Sequence, residues 1–132
     1  KILSITSSGG TVAYVKPVGK KSKSITIAAS AVLDGHTFKV VAVSAKAYKG
    51  CSKLQKVTIG KNITSIGKNA FAGCKKLKKI TIKSTKLKSS SIGKNAFKGT
   101  AKKLTFKVPK KKYKAYKKFL KKKGNKTVKV TK

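Results

Sequence analysis

The stretch Ser65-Ile66-Gly67-Lys68-Asn69-Ala70-Phe71-Ala72-Gly73-Cys74 returns 26 residues later as Ser91-Ile92-Gly93-Lys94-Asn95-Ala96-Phe97-Lys98-Gly99-Thr100. A degenerate copy precedes it by 23 residues, Ala42-Val43-Ser44-Ala45-Lys46-Ala47-Tyr48-Lys49-Gly50-Cys51. Strand-like pieces advance alongside: Ile25-Thr26-Ile27, Val57-Thr58-Ile59, Ile80-Thr81-Ile82 and Phe106-Lys107-Val108. Such a period belongs to solenoids whose units each contribute one strand and one short helical or turn segment. The third unit is three residues longer, and the excess fits the Lys/Ser-rich stretch Lys83 to Ser91.

Each position in the unit has a physical role. The alternation in Val57-Thr58-Ile59 sends two side chains inward and Thr58 outward. Ile63 and Ile66 supply a second inward pair, and Gly67 reads as a turn. Ala70 and Phe71 fit a single helical turn whose ring plugs the core between coils. Gly50, Gly73 and Gly99 stand where a left-handed cap would end that turn. Leu54 and Leu77 close the coil before the next strand. A unit built this way buries its apolar side chains only against its neighbours.

The ends read as caps. Ile2-Leu3-Ser4-Ile5 and Thr11-Val12-Ala13-Tyr14-Val15, separated by Ser7-Ser8-Gly9-Gly10, predict a β-hairpin within residues 1–23. Asp34-Gly35 predicts a turn between the Ile25 strand and His36 to Val43. Pro109 suits the start of a helix and Gly124-Asn125 its stop, with Tyr113, Tyr116, Phe119 and Leu120 as one apolar stripe between them. A last strand, Thr127 to Val130, follows. The expectation is one α/β domain over 1–132, a right-handed solenoid of about three to four coils across 24–108. Its N-terminal cap is a β-hairpin, and residues 109–132 form a C-terminal helical cap.

The charge excludes most chemistry. Thirty-six Lys stand against one acid, Asp34, for a net charge of +35 in 132 residues, and there is no Arg. A carboxylate pair needs two acids, and a hard-metal site needs several oxygen ligands. A Ser/His/Asp triad would have to take His36 and Asp34, two residues apart. No enzyme, cofactor or metal centre is therefore expected. No apolar run approaches a membrane span, and Lys1-Ile2-Leu3-Ser4 shows no apolar leader, so no signal peptide is expected in this sequence.

The phrases Ile66 to Leu77 and Val57-Thr58-Ile59 resemble the BspA-like leucine-rich repeats of bacterial surface proteins, with Gly, aromatic, Cys and Leu recurring in phase. The likeness covers roughly residues 24 to 108. Two departures, Thr100 in place of Cys and Leu104 one residue late, suit a last unit grading into a cap. The resemblance implies an extracellular or cell-surface protein with an adhesion or binding role.

Three features could carry chemistry. Cys51 and Cys74 are in phase, about 5 Å apart at the backbone if adjacent coils stack at strand spacing, which is disulfide range. Both side chains should nevertheless point inward as packed free thiols. A zinc site would need four ligands, and only His36 could join the pair; it is read instead as an exposed strand residue.

The second feature is the helix. Eleven Lys fall between Lys107 and Lys126, and repulsion among them would be relieved by a polyanion that releases its counterions on binding. The candidate polyanion-binding residues are Lys111, Lys112, Lys114, Lys118, Lys121 and Lys122. Absence of Arg argues against base-specific reading, so any nucleic-acid binding should be nonspecific. The third is the outward strand face, with Lys56, Thr58, Lys79, Thr81, Thr105 and Lys107 as candidates. It lacks the aromatic anchors of a tight protein interface.

The functional expectation is a non-catalytic extracellular binding or adhesion module, monomeric and not membrane-inserted. Its expected partners are anionic cell-wall or host glycan polymers, or host surface proteins. The competing expectation is a structural spacer of a larger surface protein, with no ligand of its own.

Overall fold

A computed structural model describes residues 2–5, 11–16, 22–33, 35–123 and 128–132. The Ser7-Ser8-Gly9-Gly10 loop, Asp34 and the Gly124-Asn125 helix stop lie outside the described residues. Chain order gives β1 (Ile2–Ile5), β2 (Thr11–Lys16), β3 (Ser24–Ile27), β4 (Ser30–Leu33), β5 (His36–Val43), β6 (Lys56–Ile59), β7 (Ser65–Ile66), β8 (Lys79–Ile82), β9 (Thr105–Lys107), α1 (Tyr113–Lys123) and β10 (Lys129–Thr131).

Two walls are sheets. One is parallel throughout, in the order β10-β9-β8-β6-β3. The other runs β1-β2-β5-β4, with β7 also pairing β5 and Ile66 bridging on to Ile92. β1 and β2 form the expected antiparallel pair, and β2 lies parallel against β5. The turn signal at Asp34-Gly35 joins β5 not to the Ile25 strand but to an additional strand, β4, antiparallel to it. That hairpin absorbs the extra length between β3 and β6, which pair Ser24 with Lys56.

The third wall is made of turns, where a single helical turn was expected. Lys46, Asn69 and Asn95 take left-handed backbone (φ 60°, 57° and 60°), as do Gly50, Gly73 and Gly99 at the far end of each turn. Left-handed residues four apart leave no room for a helix to nucleate. The backbone instead closes short loops, Ala70 N–H to Gly67 O (3.2 Å) and Cys74 N–H to Phe71 O (3.3 Å). Alternate amides point across to the next unit. Lys46, Tyr48 and Gly50 donate to the carbonyls of Lys68, Ala70 and Ala72, and Asn69, Phe71 and Gly73 donate to those of Lys94, Ala96 and Lys98. The turns form a ladder of their own.

Gly67 opens the turn, its carbonyl accepting from Ala70 N–H, and its lack of a side chain has a second use. A Cβ there would lie 2.3 Å from the Ala45 nitrogen, and one at Gly93 would lie 2.4 Å from that of Lys68. These glycines let successive turns approach backbone to backbone.

The core is a set of columns running through the units. Val43, Ile66 and Ile92 make one; Leu54, Leu77 and Leu104 another; Ile27, Ile59 and Ile82 a third. Tyr48, Phe71 and Phe97 stack with centroids 5.2 and 5.7 Å apart and planes within 6° of parallel. Phe106 closes the column edge-on to Phe97 at 5.0 Å. Burying one such ring contributes about 1.5–3 kcal/mol, and favourable ring geometry adds about 0.5–1.5 kcal/mol.

Candidate anion-binding surfaces

Register makes the strand face. Ser24, Lys56, Lys79, Thr105 and Lys129 are directly paired across the all-parallel sheet, and so are Thr26, Thr58, Thr81, Lys107 and Thr131. Inward neighbours such as Val57, Ile59, Ile80 and Ile82 are buried, so pleating turns these two rows outward, with about 4.8 Å between rungs. All six strand-face candidates thus lie together. Lys56, Lys78, Lys79, Lys103 and Lys107, with Thr105 and Thr131, line an open groove of about 420 Å³. Lys56 and Lys79 are nearest neighbours on adjacent strands, an unfavourable like-charge pair.

The helix candidates divide. Lys114, Lys118, Lys121 and Lys122 are exposed along α1. Lys111 and Lys112 belong to a short 3₁₀ turn, Lys110–Lys112, that precedes the helix, and Lys112 is half-buried. Tyr116 and Leu120 are buried, while Tyr113 and Phe119 pack partly against the core. These residues share one buried core with Phe106 and Val108. The stripe's polar tie is to the lengthened corner of the third unit. Tyr116 donates its hydroxyl to Ser84 O (2.8 Å) and accepts from Leu87 N–H (3.1 Å). Burial pushes the Tyr116 hydroxyl above its ordinary pKa. Ser84, itself fully buried, bonds Ile63 O and so ties the corner to the preceding unit.

Two other helix lysines are engaged within the fold. Lys117, and with it Lys132 from beyond β10, lie over the Tyr113 ring at 5.4 and 5.1 Å, within cation–π range. Lys123 donates to Ile92 O at 3.2 Å. Sequence reasoning gave these residues no role: the Tyr113–Lys117 pair was legible as an i, i+4 contact within one helix, whereas the Lys123 and Lys132 contacts depend on how the chain folds back.

The repeat pattern, its ladders and its register can be set beside known proteins. The model of the BspA type leucine rich repeat region matches residues 38–131, with six copies. The chain belongs to this family.

Among solved structures, the BspA-type domain is similar to a leucine rich cell surface protein from Faecalibacterium prausnitzii A2-165, at 21% identity and TM-score 0.62, over 83% of this chain and 37% of that one. It is also similar to a leucine-rich repeat protein from Bacteroides ovatus ATCC 8483, at 20% identity and TM-score 0.59, over 83% and 36%. The leucine-rich repeat protein of T. pallidum matches at 20% identity and TM-score 0.52, over 82% and 68%. This chain therefore spans little more than a third of the first two proteins. A comparison with curated proteins found none that matches.

The family's in-phase cysteines are buried free thiols here. Cys74 donates to Tyr48 O at 3.1 Å. Burial first, then the neighbouring Cys51, pushes the Cys74 thiol up to about 12, so it is a packing group and a poor nucleophile at neutral pH. Thr100 occupies the corresponding place in the last unit and bonds Phe97 O at 3.0 Å. His36 is exposed on β5. No group of three or more potential metal ligands occurs among the described residues, and no described helix is long and apolar enough to cross a membrane.

Proposed function

We propose that this BspA-type domain is a non-catalytic binding module of a bacterial surface protein, holding anionic polymers through its lysines. The strand-face groove carries the reading. Three Lys and two Thr set at rung spacing by parallel register, with Lys78 and Lys103 beside them, line one open groove of about 420 Å³, in a chain whose 36 basic residues have a single acidic side chain to answer them. A linear polyanion laid across the strands meets an ammonium or hydroxyl at nearly every rung and releases its counterions. Exposed Lys114, Lys118, Lys121 and Lys122 extend the positive surface along the helix. Two cell-surface or leucine-rich relatives of the same fold support the setting.

Salt dependence tests this. Converting Lys56, Lys79 and Lys107 to Gln should reduce affinity for a teichoic-acid-like polymer. It should also reduce the log–log salt slope, by up to about 0.9 per contact when duplex DNA is the probe. Lys111, Lys114, Lys118 and Lys121 to Gln should act in the same direction. Lys53, Lys61 and Lys75 to Gln on the repeat surface serve as the control. Equal losses in all three variants would mean diffuse charge, and no change in any would favour a spacer.

A further inference from the structure

The turn ladder has a last rung. In each preceding unit, the amide at the left-handed position is satisfied by the next unit: Lys46 N–H by Lys68 O and Asn69 N–H by Lys94 O. Asn95 holds the same backbone conformation, yet its N–H, like those of Phe97 and Gly99, finds no acceptor among the described residues. Beyond it the repeat ends and the C-terminal part of α1 lies alongside. Between them is a cleft of about 450 Å³ lined by Lys94, Asn95, Lys98, Lys122 and Lys123.

Four lysines from two elements thus line one concavity, together with Asn95. Lys123 is fixed there by its bond to Ile92 O. The arrangement is costly when empty, because like charges crowd one another. Lys98 stands where the preceding unit has Ala72 and the first has Lys49.

We infer that this cleft is a binding site for a compact tetrahedral oxyanion of the phosphate class, held by the Asn95 N–H and the four lysines. It rests on the anionic-ligand reading above and assigns the place where a phosphoryl group, free or borne by a polymer, is held. Lysine suits the task as a point-charge donor to phosphate oxygens, and a backbone amide at a left-handed residue adds a fixed direction.

The test is an amide-resolved NMR titration of the whole chain with inorganic phosphate at constant ionic strength, with chloride as the reference salt. The Asn95 amide should shift downfield and saturate. Lys98→Ala and Lys122→Ala should each weaken the apparent affinity about three- to tenfold, while Lys53→Ala and Lys75→Ala should leave it within about twofold. An unmoved Asn95 amide, or equal losses in the cleft and control variants, would overturn the site. Because polymer retention is read separately through Lys56, Lys79 and Lys107, a failed phosphate titration with that retention intact removes the cleft alone. Loss of retention with the titration intact removes only the strand-face reading.

Discussion

The turn at 44–51 and the turn at 67–74 follow one path with different residues at each demanding position. Asn69 becomes Lys46, Phe71 becomes Tyr48 and Gly67 becomes Ser44, while Gly73 and Cys74 keep their counterparts Gly50 and Cys51. The differences separate two kinds of constraint. Gly50 and Gly73 have positive φ, a demand of the turn itself, and both units meet it. Gly67 answers to the unit in front, since its missing Cβ makes room for Ala45. Ser44 can carry a side chain because it leads the ladder. Neighbours, as much as dihedral angles, therefore set the repeat's consensus.

The largest effect should come from the ring column. Phe71 is sandwiched between Tyr48 and Phe97, and Phe71→Ala should cost about 3–5 kcal/mol in a denaturant melt. A variant that melts like the parent would show that the units do not depend on one another through this column.

The thiols come next. Cys74 has a folded pKa of about 12 against an ordinary 9.0, so between those pH values the unfolded chain gives up the proton more readily. Stability from this group is complete below pH 9 and falls as pH rises toward 12, at up to about 1.4 kcal/mol per pH unit. The gap between parent and Cys74→Ala should narrow over that range, with lysine neutralisation common to both proteins. Denatured without reductant, both Cys51 and Cys74 should alkylate. A linked pair in the mass spectrum would overturn the packed-thiol assignment.

Gly67→Ala should cost about 1–3 kcal/mol, because backbone rather than a flexible side chain must move. Ser44→Ala should stay within about 0.5 kcal/mol. Equal costs would erase the distinction between the leading turn and those stacked behind it. Smallest is the left-handed position, where Lys46→Asn should stabilise by about 0.5–1 kcal/mol and Asn69→Lys should lose about as much. Opposite signs in the paired melts are the expected result.

The architecture was legible wherever one residue type has one use. In-phase Ile, Leu and Phe columns and the Gly at 50, 73 and 99 disclosed the stacking, and strict period-two alternation disclosed which Thr and Lys face outward. β4 was hidden because Ser30-Ala31-Val32-Leu33 carries no alternation of its own and owes its strand to pairing with β5. The turn wall was read as helical because Ala-Phe in a Lys-rich setting favours helix. The deciding fact is that Asn69, not only Gly73, adopts the left-handed conformation. Of the candidate surfaces, the strand face followed from periodicity. The cleft did not, because it joins Lys94 and Lys98 to Lys122 and Lys123 across a gap that only the return of the chain after Pro109 closes.

The corner at 83–91 has a consequence for how such a chain can change length. Ile59 pairs with Ile82 at a spacing of 23 residues, whereas Ile66 meets Ile92 at 26, and neither ladder is broken. Three extra residues were taken up at the corner between two walls, where Ser84 and Leu87 then offered purchase to Tyr116. Insertions at this corner leave the geometry of both walls unchanged, and duplication of a whole unit adds one rung to each. A single residue gained within Val57 to Ile59 would reverse inside and outside for the rest of that strand. Growth by whole units, with novelty admitted at the corners, is the route of variation this construction leaves open.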